Sequence, residues 1–312
     1  MAKHSWKFYV GMTACTLAGM HIINRLIFQS SGKQNLLYSH NGATYSWRLG
    51  DIFYTKQGQG NPVLLIHDLD SAASDVEYRY IVNSLAENHT VYTMDLLGCG
   101  RSDKPAITYT AYIYVQLISD FVRDVIGEKT TVVASGNSAN FAVLAAYGDS
   151  DLFDHINLIN PVGIRLQRKL PNVVSTTFKK AVELPIVGTF LYNIATSRVV
   201  LKQRLSSGYL YPYLLKNKTL TAAYESAHQG DANAKYLFAS KYSNYTGSNI
   251  LHALSALKNP ITLIVGEEDC NGAETANDYV TANSRVNVNI VGRAKHFPQI
   301  EQPHDTLLQL DL

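Results

Sequence analysis

Cysteine is nearly absent from this chain. Cys15, Cys99 and Cys270 are too few and too scattered to frame disulfides or a zinc site, so no metal is expected and all three read as free thiols. Charge is thin as well: charged residues make up 17% of the sequence and the net charge is +2. That balance builds no basic field for nucleic acid or another polyanion. Internal repeats and low-complexity tracts are missing, which removes solenoids and disordered arrays. Tryptophan occurs twice against twenty tyrosines, and many of the tyrosines fall after residue 190. What remains, 312 residues of which 46% are hydrophobic, is enough for one large α/β domain carrying an insertion.

One long apolar run is present, at the N-terminus. Phe8 to Phe28 is mostly apolar, follows Lys3 and Lys7, and is about long enough to span a bilayer. His21, Asn24 and Arg25 weaken its last third. No Ala-x-Ala-like cleavage signal is evident, so residues 1–30 are expected to form an uncleaved signal anchor that brings the protein to a membrane. The alternative is an amphipathic helix packed on the domain. The slight excess of positive charge before the segment favours a cytoplasmic N-terminus and an external body.

Beyond a polar linker, short strands are expected around Leu37–Ser39, Ser46–Leu49 and Asp51–Thr55. Val63–Ile66 and Val91–Met94 are continuous apolar runs, as expected of strands buried on both faces. Tyr112–Ile126 reads as a helix, Thr131–Ala134 as a strand, Phe141–Tyr147 as a helix and His155–Asn160 as a strand. Strand character then disappears until Ile261–Val265 and Val286–Val291. Alternating strands and helices predict a mostly parallel, doubly wound sheet. The core is expected over 36–164 and 256–312, with a helical lid inserted at 165–255.

Three chemically special residues follow strands in the order Ser138, Asp269, His296. Gly136-Asn137-Ser138 sits between a strand and a helix, where a serine hydroxyl is lifted above the sheet. A serine hydroxyl is a poor nucleophile at neutral pH and needs an imidazole base, which in turn needs a carboxylate to fix its tautomer. Glu267 and Glu268 are adjacent rivals to Asp269, and His304 is a rival to His296. His67 reads as a structural histidine and Asp95 as a turn-fixing aspartate.

With Leu64-Leu-Ile-His67, Asp95–Pro105, Gly136-Asn-Ser138, Ile264–Asp269 and His296–Pro303 in place, the chain resembles the α/β-hydrolase fold superfamily over roughly 45–305, in its lid-bearing esterase and lipase branch. The resemblance implies Ser138 as nucleophile, Asp269 as acid and His296 as base. It also implies oxyanion donors from the backbone of Leu69 and Ala139, and neither metal nor organic cofactor. The activity implied is cleavage of a carboxylic ester of a small or lipid-like substrate through an acyl-enzyme. Acyl transfer, C–C bond hydrolysis and a non-catalytic ligand-binding homologue are the alternatives. Two departures stand out: Asp68 follows His67 where the family has glycine, and Asn140 replaces the second glycine of the serine motif.

Overall fold

The computed structural model describes residues 3–312. An eight-stranded sheet lies at its centre, in the order β1-β2-β4-β3-β5-β6-β7-β8. The strands are β1 (Gly42–Trp47), β2 (Gly50–Gln57), β3 (Pro62–Ile66), β4 (Thr90–Met94), β5 (Thr130–Ser135), β6 (Phe153–Ile159), β7 (Ile261–Gly266) and β8 (Val286–Val291). β1 and β2 pair antiparallel, and every pairing from β4 through β8 is parallel. The expected strand at Leu37–Ser39 is not formed; those residues lie in a turn ahead of β1.

The apolar runs form strands because both sheet faces are covered. Leu64, Ile66, Val132 and Ala134 enter one core, and Val63, Leu65 and Val133 enter the other. That alternation is the two-residue period of a strand. β4 lies on one side of β3 and β5 on the other, so the chain reverses direction between β3 and β5. A crevice opens at the C-terminal ends of strands at such a switch point.

Helices complete the fold around the sheet. Helix α1 (Lys3–Ser31) stands at the N-terminus, and the helix that follows β5 is α2 (Ser138–Gly148). Between β6 and β7 the chain is helical, with α3 (Val173–Glu183), α4 (Val187–Ala195), α5 (Arg198–Ser207), α6 (Asn217–His228) and α7 (Ala234–Tyr242). Arg204 from α5 and Lys241 from α7 both reach Asp70, in the loop after β3, at 2.8 and 2.9 Å. The two cations hold the Asp70 carboxyl well below the usual range, although burial alone would raise it.

Candidate active site

The site is built at the ends of β3, β5, β7 and β8. Asp269 follows β7 and His296 follows β8, and their side chains meet: Nδ1 of His296 lies 3.1 Å from Oδ2 of Asp269. Burial disfavours the charged imidazole. The Asp269 hydrogen bond and the negative charges of Asp68, Asp269 and Glu77 outweigh it, so His296 titrates above its ordinary value. Burial likewise works to raise Asp269, but its bonds to His296 and to the Asn271 N–H hold it below the usual carboxylate value. An imidazole oriented by a carboxylate is therefore present, an arrangement suited to general-base chemistry.

Ser138 is not brought to that base. It is fully buried at the first turn of α2, and its hydroxyl donates to the carbonyl of His67 at 2.7 Å. Among the described residues it makes no hydrogen bond to His296 and does not line the cavity that His296 and Asp269 share. Leu69 and Ala139, the expected oxyanion donors, are fully buried and also off the cavity wall. The backbone gives the reason for these placements. β5 continues through Ser135, and the residue that turns the chain is Gly136, at φ +53°. The strained strand-to-helix position, where a nucleophile would be displayed, is thus held by a residue without a side chain. Ser138 comes two positions later, already inside the helix.

The space above Gly136 is not empty. A Cβ placed there would lie 2.4 Å from the Asp68 carboxyl carbon. Oδ1 of Asp68 accepts from the Asn137 N–H at 2.6 Å and from the Asn137 side-chain amide at 2.9 Å. The N–H that follows the apex, one of the usual oxyanion donors, is therefore taken up by a carboxylate supplied from β3. Its other oxygen, Oδ2, has no hydrogen bond among the described residues, and Asp68 lines the cavity.

Glu77 belongs to the same group and was not singled out from sequence. It sits in a short 3₁₀ turn, where Oε2 accepts the Asp68 N–H at 3.1 Å and Oε1 accepts Gln299 Nε2 at 2.8 Å. Burial, reinforced by the Asp68 charge, raises its carboxyl. His67 behaves as expected. Its Nε2 accepts the Leu96 N–H at 3.1 Å, which leaves Nδ1–H to donate to the Asp68 carbonyl at 2.7 Å. That braces β3 against β4. Asn140 does not enter the site: it is fully buried, and its Oδ1 accepts from Tyr279 at 2.9 Å.

The cavity encloses about 530 Å³, the size of a pocket for a small organic molecule. Asp68, Glu77, Asp269 and His296 form its polar end, while Arg204, Lys241 and Tyr242 come from the helical insertion. Among the described residues no cluster of three or more His, Cys, Asp or Glu is arranged to hold a metal.

Known proteins resemble the chain in sequence over a limited stretch and in fold throughout. A 2-hydroxy-6-oxo-6-(2'-aminophenyl)hexa-2,4-dienoic acid hydrolase of Metapseudomonas resinovorans is 28% identical over 113 residues, 36% of this chain and 39% of that protein. A soluble epoxide hydrolase of Corynebacterium sp. (strain C12) is 27% identical over 111 residues, 36% of this chain and 38% of that protein. The matched stretches thus cover under two thirds of those relatives' own length. Among solved structures, a serine hydrolase involved in carbazole degradation superposes with a TM-score of 0.69 at 17% identity, over 85% of this chain and 95% of its own. A membrane phospholipase A gives 0.67 at 17% identity over 98% of this chain and 96% of its own, so the shared fold there takes in α1. The model of the alpha/beta hydrolase family matches residues 63–310, most of the chain, and the parallel sheet agrees with it: the protein belongs to the alpha/beta hydrolase family.

Proposed function

We propose that the protein is a hydrolase of small molecules whose nucleophile is the carboxylate of Asp68. The single observation that carries this reading is the Asp68 carboxyl group seated over Gly136 and held by Asn137. Carboxylates attack saturated carbon bearing a leaving oxygen or halide. The epoxide class is the first to assay, since one relative is a soluble epoxide hydrolase. In the first step Oδ2 of Asp68 bonds to the substrate carbon as the C–O bond breaks. The freed alkoxide takes a proton from a donor on the cavity wall, where the Lys241 ammonium and Tyr242 hydroxyl both stand. In the second step His296, held by Asp269, takes a proton from water. The hydroxide adds to Cγ of Asp68. The charge that develops on Oδ1 is met by the two Asn137 donors already bonded there. Collapse leaves Asp68 as the carboxylic acid, the departing alkoxide takes the proton from His296, and the acid's proton passes to the donor spent in the first step, which restores the Asp68 carboxylate.

Ester cleavage through an acyl-enzyme on Ser138 finds no such support. That hydroxyl donates to the His67 carbonyl, and Ala139, whose N–H would serve a substrate oxyanion, is fully buried off the cavity wall.

The test is a single turnover in ¹⁸O-labelled water with an epoxide panel, followed by mass analysis of the peptide carrying Asp68. Expected is ¹⁸O in the Asp68 carboxyl, and loss of turnover by at least about 10³-fold in Asp68→Asn. Product that carries the label while the Asp68 peptide carries none overturns the nucleophile. Labelling of the wild type by a fluorophosphonate probe that Ser138→Ala abolishes restores the serine reading.

A further inference from the structure

A second cavity lies away from the active site, in the seam between α1 and the helical insertion. It is lined by His21, Asn24, Arg25 and Phe28 of α1 and by Ile186, Thr189 and Lys235 of the insertion, among others.

Helix α1 is two different surfaces end to end. Trp6 to Thr16 is exposed all round, although it includes Phe8, Tyr9, Val10 and Met12. In the second half Leu17, Met20, Asn24, Ile27, Phe28 and Ser31 are buried or half-buried. Their spacing of three and four residues is one face of a helix. That face docks on α4 and α6. Asn24 Nδ2 donates to the carbonyl of Ile186 at 3.0 Å, and Asn193 Nδ2 donates to Asn24 Oδ1 at 2.9 Å. Ile186 is itself strained: it sits at φ +56°, ψ −67°, in a tight turn closed by the Val187 N–H on the Pro185 carbonyl at 2.6 Å. A β-branched residue rarely adopts that conformation, so the docked helix holds a strained wall in place. Trp6–Gln34 is the helical stretch among the described residues long and apolar enough to cross a membrane. The exposed first half of α1 thus has the length and composition suited to lipid, and the seam lies beside its docked second half.

The seam carries both signs of charge, Arg25 and Lys235 beside the carboxylates of Glu183 and Asp231, but its buried cation is not paired with either. Lys235 is 3% exposed, yet its ammonium donates only to neutral groups, the Leu184 carbonyl at 2.8 Å and Thr189 Oγ1 at 3.1 Å. Glu183, the nearby carboxylate, is bonded to Lys179. Burial lowers the Lys235 pKa and Glu183 opposes that only in part. A buried cation without an ion-pair partner is costly, and an anion in the cavity relieves it. Arg25, exposed on the same wall, makes no hydrogen bond or ion pair among the described residues, which leaves a second donor set for a phosphate.

We propose that this seam is a binding site for the phosphodiester headgroup of a membrane phospholipid, with Lys235 and Arg25 as its cationic contacts and Phe28 against the start of the acyl chains. The site is independent of the chemistry assigned to Asp68. It gives the anchor a lipid-dependent hold on the insertion that covers the active site.

The test uses the full chain in a mild detergent, titrated calorimetrically with dihexanoyl-phosphatidylglycerol below its micelle concentration and, in a second arm, with inorganic phosphate. Saturable lipid binding is expected, weakened about tenfold or more in both Arg25→Gln and Lys235→Met, with phosphate binding far more weakly. Arg25 is exposed, so its variant keeps the test valid if loss of the buried Lys235 disturbs folding. The proposal is overturned by lipid binding that is absent or unchanged in Arg25→Gln. It is equally overturned if phosphate binds as tightly as the lipid, which would make the seam a small-anion site.

Discussion

The two sides of the active site have been treated differently by this sequence. On the β7 and β8 side, Asp269 and His296 stand in contact at strand ends, as a base and its orienting carboxylate. On the β3 and β5 side, the turn keeps its strained backbone but carries no side chain: Gly136 holds the φ, and the Asp68 carboxyl occupies the space above it. A base can serve several nucleophiles provided it reaches the water or hydroxyl to be deprotonated. The elbow decides which electrophile is attacked, and under the reading proposed above a carboxylate takes the hydroxyl's place there, with the Asn137 N–H already bonded to it. The Asp68 and Asn140 departures seen in the sequence have different meanings as a result. Asp68 is half of a coupled change with Gly136, whereas Asn140 is a buried packing contact to Tyr279.

The largest expected effect breaks the β7 and β8 side. Asp269→Asn leaves His296 without its orienting acceptor, and turnover falls about 10⁴-fold. The pH profile carries a second readout. His296 acts as base only when neutral, so kcat/KM of the wild type declines as pH falls through a value above the ordinary 6.5. Because the Asp269 bond is the leading influence that raises it, the residual activity of Asp269→Asn has its acid limb at lower pH. An acid limb that stays in place would mean that the imidazole is tuned by Asp68 and Glu77 alone.

The contact on that side was legible from sequence because each residue follows a strand: the buried apolar run Ile261–Val265 before Asp269, and Val286–Val291, with apolar residues at alternate places, before His296. The elbow was not. A Gly-x-Ser triplet after a strand does not say which of its residues turns the chain. That depends on how far sheet pairing extends, and β5 pairs with β6 as far as Ser135. Ala134-x-Gly136-x-Ser138, small residues at every second place around the turn, was the frame available in the sequence. Glu77 was hidden for another reason: it acquires a role only when its turn folds back on the Asp68 N–H. The alternation of strands and helices gave the sheet, because buried parallel strands need continuous apolar runs. The misplaced first strand at Leu37–Ser39 lacks that burial on two faces.

The next effect sharpens the comparison by reversing it. Gly136→Ser alone puts a Cβ 2.4 Å from the Asp68 carboxyl carbon at φ +53°, so stability should fall by roughly 1–3 kcal/mol, read by denaturant unfolding. Adding Asp68→Gly removes the clash and frees the Asn137 N–H. The double variant should regain much of that stability, and the introduced hydroxyl should become reactive to a fluorophosphonate probe, with His296 as its base. Probe reactivity in the single variant equal to that of the double would show that Asp68 does not occupy the elbow in solution.

The smallest effect is at the residue the motif first marks. Ser138→Ala removes one hydrogen bond, the donation to the His67 carbonyl at 2.7 Å, inside a well-packed helix start. The loss should be about 1 kcal/mol in stability, with kcat unchanged within about twofold. Stability and turnover are the two axes that separate a packing serine from a nucleophile. A nucleophile leaves stability nearly intact and abolishes turnover; Ser138 as placed here does the reverse. Its hydroxyl also fixes the carbonyl of the residue before Asp68, so any small change in turnover should appear as a displaced carboxylate. It would then be deepened by Asn137→Ala, which removes the side-chain amide holding Asp68 from the other side. Non-additive losses in that pair would tie Ser138 to the site as a support for Asp68, whereas complete inactivation by Ser138→Ala alone, with unchanged unfolding, would return the nucleophile to the serine.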